Sequence, residues 1–349
     1  MALQSSGPIS FSQIESEFGR NGGRSLGNYR VSDNYVSSRG GSADMANLPL
    51  DSGIPQSGAI AFSQFYNKRL NMVVDYYSGG STRYRVDGRR KYNNRPGDVR
   101  CVGGFRTRPS NSSGTKVFLH VNVPIGSEKS QDRTRCAMRT GNWEGNTDLH
   151  VDVGSSGMIV GAGGNGGKGR VCDGGRRGKN GNSGLGIQYT NGTTTVRVFS
   201  GGRIQAGYAG GGGGGGGHND PDKNTQDHAS SGGGGGGGAG LPAGNGGPRG
   251  DGAFGRGDNG NSGSNGSITG RGGGGSGGGG GGSSGGNGGN GAAPGQNAGG
   301  GGGGSGNVCR SGGTGSGDSG DAIRKVGGAN FTLSNSGTVR GGTSGSGVS

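Results

Sequence analysis

Hydrophobic and polar positions alternate with period two in three stretches of the chain, and a glycine breaks each alternation. The stretches are VDVGSSGMIVG from Val151, VRVFSGGRIQA from Val196 and FTLSNSGTVRG from Phe331. This pattern predicts a β-arch, two short strands with one buried face, and stacked arches share a core as solenoid rungs do. The shared template places apolar or small residues at Val151, Val153, Gly157, Ile159, Gly161, Val196, Val198, Gly202, Ile204, Ala206, Phe331, Leu333, Gly337, Val339 and Gly341.

A second hydrophobic pattern, with helical spacing, occurs twice near the N-terminus. SGPISFSQ at residues 6–13 returns as SGAIAFSQ at residues 57–64. Apolar residues share one helical face in each copy, and Ser12 and Glu15 have the spacing of a capping box. Because each copy is too short to be stable alone, we expect the copies to pack on one another or on a partner. Their apolar residues are Ile9, Phe11, Ile14, Phe18, Ile60, Phe62, Phe65 and Tyr66.

Glycine dominates between the second and third arches and is frequent between the first and second, and the exceptions to glycine are regularly spaced. Residues 210–217 and 232–238 are glycine alone, whereas residues 175–184 and 257–266 keep glycine at every third position. An extended helix with three residues per turn packs closely only along rows without side chains. We therefore expect a polyglycine II bundle with the bare stretches inside. Two glycine rows remain beside the exceptions Ala162, Asn165, Lys168, Ser284, Asn287, Asn290 and Ala293.

The connections of such a bundle lie at its two ends, because consecutive helices are antiparallel. We expect residues 218–231 and 283–297 at one end, and residues 241–256 and 307–311 at the other. A third, matching β-arch follows the glycine runs, and this favours a folded glycine region over a disordered tail. Glycine then supplies a compact, rigid spacer, and the loops are free to carry recognition.

Composition separates the chain into unlike parts. Glycine supplies 99 of the 349 residues and hydrophobic residues 25%, while aromatic and β-branched residues concentrate before about residue 199. We predict a small helical and loop module over 1–71, a β-rich domain over 72–147, and a glycine bundle framed by the three arches over 148–349. The predicted fold class is mostly β and irregular.

The formal net charge of +14 and a pI near 10.1 raise nucleic acid as a partner. The basic residues, however, crowd into residues 83–139 among strand-like residues, and the bare glycine runs contain none. A solvated basic face accounts for this distribution. We expect no nucleic-acid partner.

Several other classes of protein are disfavoured. The N-terminus has no basic leader or apolar segment of a signal peptide, and no stretch approaches the ~20 apolar residues of a membrane span. Histidines are isolated in sequence, with His120 and His150 on alternating strands where they would face outward. No catalytic set is legible, so we expect neither an enzyme nor a cofactor nor a metal site. The four cysteines, Cys101, Cys136, Cys172 and Cys309, allow three pairings, and we expect free buried thiols in a reducing cytoplasm.

The paired SGxIxxSQ segments, the second closing in FYNKR, resemble the N-terminal segment of tailed-bacteriophage tail and tail-fibre proteins. Together with the glycine runs, the arrangement resembles the tip adhesins of T-even-like phages, in which a polyglycine sandwich displays receptor-binding loops. The resemblance implies attachment to other tail or tail-fibre proteins through residues 1–71. It also implies a virion location, assembly in the host cytoplasm, and a bacterial surface polysaccharide or outer-membrane protein as the receptor.

Two loops are candidates for receptor contact. Arg249, Phe254 and Arg256 form a cationic and aromatic set suited to anionic sugars, while Asp220, Asp222 and Asp227 suit hydroxyl-rich sugars. The loops carry few aromatics, which keeps open a purely structural virion role. A third reading, an ice-binding or matrix protein, is disfavoured by the N-terminal repeat.

Overall fold

The computed structural model describes residues 3–18, 25–29, 58–68, 72–76, 92–93, 114, 116–128, 130–219, 228–251, 258–280 and 282–349. These residues are mostly strand and irregular, with three short helical pieces, α1 (Phe11–Phe18) and 3-10 helices at Leu26–Tyr29 and Phe62–Phe65. The predicted fold class is confirmed. No helix among the described residues is long and apolar enough to cross a membrane.

The two N-terminal copies pack on one another, as expected. Phe11 and Phe62, which occupy equivalent positions, meet edge to face with their ring centroids 5.0 Å apart. The equivalent residues Ile14 and Phe65 are both fully buried. Backbone hydrogen bonds join the segments that flank the copies, since Leu3 N donates to Lys68 O and Asn67 N donates to Gln4 O.

The capping box expected at Ser12 and Glu15 is wrong by two residues. Because α1 begins at Phe11, the capping position is Ser10. Its backbone N–H donates to Gln13 Oε1 at 2.7 Å, and Gln13 N donates back to Ser10 Oγ at 3.3 Å. In the second copy Ala61 N donates to Gln64 Oε1 at 2.7 Å. The repeated glutamine therefore has the same role in both copies.

Parallel strands form a three-sided solenoid. Every neighbouring pair of strands in its three sheets is parallel. From Lys116 onward, each turn of the chain contributes one strand to each side in succession. The first side is β1 (Met72–Tyr76), β3 (Lys116–Val121), β6 (Asp148–Val153), β9 (Thr193–Val198) and β17 (Asn330–Asn335). The second is β4 (Pro124–Gly126), β7 (Met158–Val160), β10 (Arg203–Gln205) and β18 (Thr338–Arg340), and the third is β2 (Tyr92–Asn93), β5 (Cys136–Arg139), β8 (Ser183–Ile187), β16 (Ile323–Lys325) and β19 (Gly345–Ser346).

Apolar side chains that stack in register fill the solenoid. Leu119, Val151 and Val196 occupy successive levels of the first side and are fully buried. The same row ends at Leu333 on the last turn, where 39% of the residue is exposed. The core is therefore continuous along the solenoid, and the final turn is its exposed end.

The predicted arches are present, with one error of register. The second-side strands pair as the template requires, Ile159 with Ile204 and Ile204 with Val339. On the first side, however, Leu333 and not Phe331 pairs with Val196. The reason is that the turn between the two strands of the third arch is two residues shorter than the same turn in the second arch. The predicted boundary at residue 147 falls between strands of the same sheet, since β3 pairs with β6 and β5 with β8.

The strand histidines face away from the core, as expected, but His120 is nevertheless fully buried, while His150 is half-buried. In a stack of parallel strands the register neighbour covers each outward side chain, and His120 lies beside Asp152. Asp152 is itself fully buried and accepts two hydrogen bonds from Arg197, at 2.7 and 2.6 Å. A polar row thus runs along the first side.

The glycine bundle consists of two insertions into this solenoid, residues 161–182 and 206–322. One leaves after β7 and returns at β8, and the other leaves after β10 and returns at β16. Both therefore emerge from the same corner, between the second and third sides. We call the end of the bundle at the solenoid the inner end and the opposite end the outer end. Alanines replace glycine where the inner end is buried, in the cluster Ala206, Ala209, Ala239, Ala292 and Ala293.

Hydrogen bonds in the bundle recur with the expected period of three. In the first interior segment (207–217), Gly207, Gly210 and Gly213 donate to one neighbour, and Tyr208, Gly211 and Gly214 donate to another. Counting donors and acceptors, this segment bonds to six neighbours, 161–170, 174–182, 230–240, 283–293, 297–306 and 311–320. The second interior segment (230–240) bonds to 161–170, 207–217, 243–250, 258–267, 271–278 and 283–293.

The bare glycine segments are inside the bundle and the side chains of the other segments face outward, as the spacing of the glycines predicted. Both interior segments are buried throughout, whereas Ser284, Asn287 and Asn290 are exposed on an outer row. A Cβ built on any of residues 210–215 would lie 1.9 to 2.5 Å from a neighbouring backbone oxygen. No side chain can occupy those rows without moving a backbone.

Candidate functional site

A small antiparallel sheet forms the outer end of the bundle. Its order is β12 (His228–Ser230), β11 (Gly217–Asn219) and β15 (Cys309–Arg310). A hairpin of β13 (Gly279–Gly280) and β14 (Ser283–Ser284) lies beside it, with Ser230 Oγ and Ser283 Oγ 2.8 Å apart. The outer end is thus a set of turns fixed to one another by backbone and hydroxyl hydrogen bonds.

Both candidate receptor loops start and finish at this end. Residues 220–227 are flanked by Asn219 and His228, which pair with each other. Residues 252–257 are flanked by Asp251 and Asp258, and Asp258 O accepts a hydrogen bond from Ser231 N at 3.4 Å. The expectation of opposite ends is wrong.

The error has a physical cause. Residues 243–250 and 285–293 are themselves bundle segments with fewer glycine rows, and the expectation treated them as loops. Leu241 therefore lies at the inner end, where its N–H donates to Gly161 O at 3.0 Å. The 307–311 turn lies at the outer end, where Val308 N donates to His218 O at 3.0 Å.

A disulfide links two turns of the outer end. Cys172, in the turn between the first two bundle segments, is bonded to Cys309 across 137 residues of sequence, with a Cα–Cα distance of 5.5 Å. The expectation of free thiols is wrong for this pair, because the bundle brings together turns that are distant in sequence. His218 lies within 4.8 Å of both sulfurs, but sulfurs joined in a disulfide are not thiolate ligands.

The remaining cysteines differ from this pair. Cys136 is a buried free thiol on β5, as expected, and desolvation raises its pKa to about 12. A thiol in that state is unreactive at neutral pH. Cys101 lies outside the described residues.

Ion pairs border the outer end. Arg170 contacts Asp173, and this hydrogen bond is the main reason why the pKa of Asp173 lies below its usual value. Lys168 Nζ lies 3.5 Å from Asp251, with both side chains largely exposed. Exposed pairs of this kind contribute little stability, so these groups stay available to a partner. Val308 adds an apolar side chain that is 55% exposed.

The structure places one member of the predicted receptor set. Arg249 is exposed near the outer end, and its N–H donates to Ser262 Oγ at 3.3 Å. Phe254 and Arg256 lie outside the described residues, as do Asp220, Asp222 and Asp227. The residues that flank the two loops nevertheless lie at the same end of the bundle, the outer end.

The predicted attachment residues divide into two groups. Ile14 and Phe65 are buried in the contact between the copies. Phe18 ends α1, and its side chain lies outside the described residues. The half-buried members keep part of their surface for a partner, and they are Ile9, Phe11, Ile60, Phe62 and Tyr66.

The fold and its outer end define a class, a parallel β-solenoid from which a glycine bundle projects a rigid end with loops. Neither a protein-family model nor a curated protein matches the chain. Among solved structures, the chain is similar to the crystal structure of the gp37-gp38 adhesin tip complex of the bacteriophage S16 long tail fiber. The identity is 17% and the TM-score 0.34, over 98% of this chain and 100% of the other. What this chain does has to be inferred from its own residues and geometry.

Proposed function

We propose that the chain is a tail-fibre or tail-tip component of a bacteriophage virion, and that it acts as a distal adhesin without enzymatic activity. The observation that carries the proposal is that the residues flanking both candidate loops lie together at the outer end of a bundle whose interior is mostly bare glycine. Such a bundle is stiff, because each interior segment is held by six neighbours. Loops on a rigid scaffold lose less entropy on binding than loops on a mobile one.

The paired N-terminal copies are the part of the chain that we propose for attachment to other tail proteins. Their packing leaves apolar surface at equivalent positions of both copies, Ile9 with Ile60 and Phe11 with Phe62. An apolar surface of this kind marks a protein–protein contact. The chain then attaches to other tail proteins through residues 1–71 and presents the outer end to the bacterial surface.

The attachment surface is testable without unfolding the module. Ile9→Asp combined with Ile60→Asp is expected to abolish incorporation into phage particles, because it places two charges on the apolar surface. The buried Ile14 and Phe65 are retained, so the melting temperature is expected to stay unchanged. Incorporation is measured by immunoblotting of purified particles.

The matched control is Ser12→Asp combined with Ser63→Asp, which adds the same charge at exposed, equivalent positions. We expect this variant to be incorporated normally. Normal incorporation of the isoleucine variant, or equal loss in the serine variant, contradicts attachment through the apolar positions.

The receptor loops are tested by adsorption. Phe254→Ala combined with Arg256→Ala is expected to slow phage adsorption about tenfold or more, since aromatic and arginine anchors contribute most of the energy of a contact. The number of assembled particles is expected to stay the same. A second variant, with Asp220, Asp222 and Asp227 all changed to Asn, tests the other loop at the same end.

The control variant changes exposed residues at the inner end, Gln296→Ala with Asn297→Ala. It is expected to adsorb normally. If both loop variants adsorb like the parent, the chain is a structural virion protein and the adhesin proposal is wrong. If the inner-end variant loses adsorption, the contact lies at the other end of the bundle.

A further inference from the structure

A groove of about 630 Å³ runs along the flank of the glycine bundle and reaches the border of the outer end at Lys168. Gly166 and Gly167 line it as part of segment 161–170. Segment 174–182 and residues 245–248 also line it, on either side of that segment. The absence of side chains on a glycine row opens a channel that an ordinary helix would fill.

Four cations and no carboxylate line this groove. Lys168 and Arg177 each lie 3.5 Å from an exposed carboxylate outside it, Asp251 and Asp318. Arg176 and Lys179 are exposed, and among the described residues neither has a carboxylate within ion-pair distance. Arg176 is near enough to Asp173 to help lower the pKa of that carboxyl, although Arg170 is the main cause. The groove therefore carries an excess of positive charge.

The cations are spaced by the threefold helix. Arg176 N donates to Lys168 O and Lys179 N donates to Asn165 O, both at 2.8 Å, so these residues lie beside one another at two levels. Three residues at ~3.1 Å each separate the levels by about 9 Å. An amide lies beside Lys179 at the second level, since Asn165 Oδ1 accepts a hydrogen bond from Asn245 N at 2.9 Å and the NH₂ group of Asn165 remains for a ligand.

We propose that this groove binds an acidic polysaccharide strand. Lys168 and Arg176 contact one carboxylate or phosphate of the strand, Lys179 contacts the next, and the amides of Asn165 and Asn245 meet the hydroxyls between them. No aromatic residue lines the groove, and single-stranded nucleic acid needs such rings for stacking. The periodic charges and the amides beside them favour a charged glycan.

The proposal deepens the role at a bacterial surface and rests on it, but binding is measurable on the isolated full-length chain. The probe is an α-1,4-linked oligogalacturonate, titrated calorimetrically, and its methyl ester is the uncharged control. We expect the acid to bind, the ester not to bind, and the affinity to fall as salt rises. Arg176→Gln combined with Lys179→Gln is expected to weaken binding about tenfold or more.

The control variant removes the same charge outside the groove, Arg271→Gln with Lys325→Gln, and is expected to keep the parent affinity. The proposal is overturned if the ester binds like the acid, or if the control variant loses as much affinity as the groove variant. Equal or tighter binding of single-stranded DNA of the same charge also overturns it. None of these outcomes bears on adsorption through the outer-end loops, which is measured on whole phage.

Discussion

Replacing Gly213 by alanine is expected to lower the free energy of unfolding by about 3 kcal/mol or more. A Cβ at this position would lie 2.2 Å from Lys168 O and 2.5 Å from its carbonyl carbon. These are backbone atoms, so relief requires one segment to move away from another. The movement breaks hydrogen bonds to neighbours on both sides of the first interior segment. Calorimetric unfolding of the purified chain measures the effect as a fall of several degrees in Tm.

Gly315→Ala is the matched control, because it makes the same chemical change in the same bundle. A Cβ at Gly315 meets nothing within 4 Å, and the residue is exposed. Its effect is expected to stay within about 0.5 kcal/mol. If the two variants melt at the same temperature, the interior segment is not packed against six neighbours.

Removing the disulfide is expected to cost up to about 5 kcal/mol, since the bond closes a loop of 137 residues. The variant is Cys172→Ser with Cys309→Ser, and its melting temperature is compared with that of the parent. The reductant TCEP is expected to lower the Tm of the parent to that of the variant. The fixed arrangement of the outer-end turns is then held only by hydrogen bonds.

The same experiment contains its control. The variant retains the buried Cys136, whose thiol is not part of the bond, so TCEP is expected to leave its Tm unchanged. A parent protein that is insensitive to TCEP would show that Cys172 and Cys309 are not paired in solution.

Much of the architecture could be predicted from local periodicity. The alternation at Val151 and Val196 identified two turns of the solenoid, and the bare runs identified both interior segments. These signals are local because a strand and a threefold helix each repeat every few residues. The repeated SGxIxxSQ segments likewise led to the expectation that the copies pack on one another or on a partner, and Phe11 does pack on Phe62.

The third side of the solenoid had no such signal. Leu185 pairs with Ile323, yet their strands are short and contain glycine or charged residues instead of a clear alternation. Pairing of residues so far apart in sequence depends on the closure of the whole turn. The position of the bundle as an insertion between two sides could not be inferred for the same reason.

The candidate site was predicted in its parts but not in its arrangement. The loops were identified by composition, whereas their common end depended on recognising residues 243–250, with glycine at 244, 247 and 250, as a bundle segment. The disulfide was one of three possible pairings, and only the fold selects it. Arg176 and Lys179 lie three residues apart in GGRRGKNGNSG, so they share one row of the threefold helix. This spacing was a signal for the groove that the sequence already contained.

Between its two ends the interior of the bundle is made of glycine backbone, so the residues that specify the fold are separate from the loops that would specify a target. In an ordinary domain a new binding loop has to remain compatible with the side chains packed beneath it. Here the bare glycine runs 210–217 and 232–238 carry no side chains, and the second run is followed towards the outer end only by the small residues Ser230 and Ser231. Loop sequences can therefore diverge, lengthen or be exchanged between relatives with little cost in stability. Under the proposed adhesin role, a change of target then requires a change in the loops alone, while the scaffold stays the same.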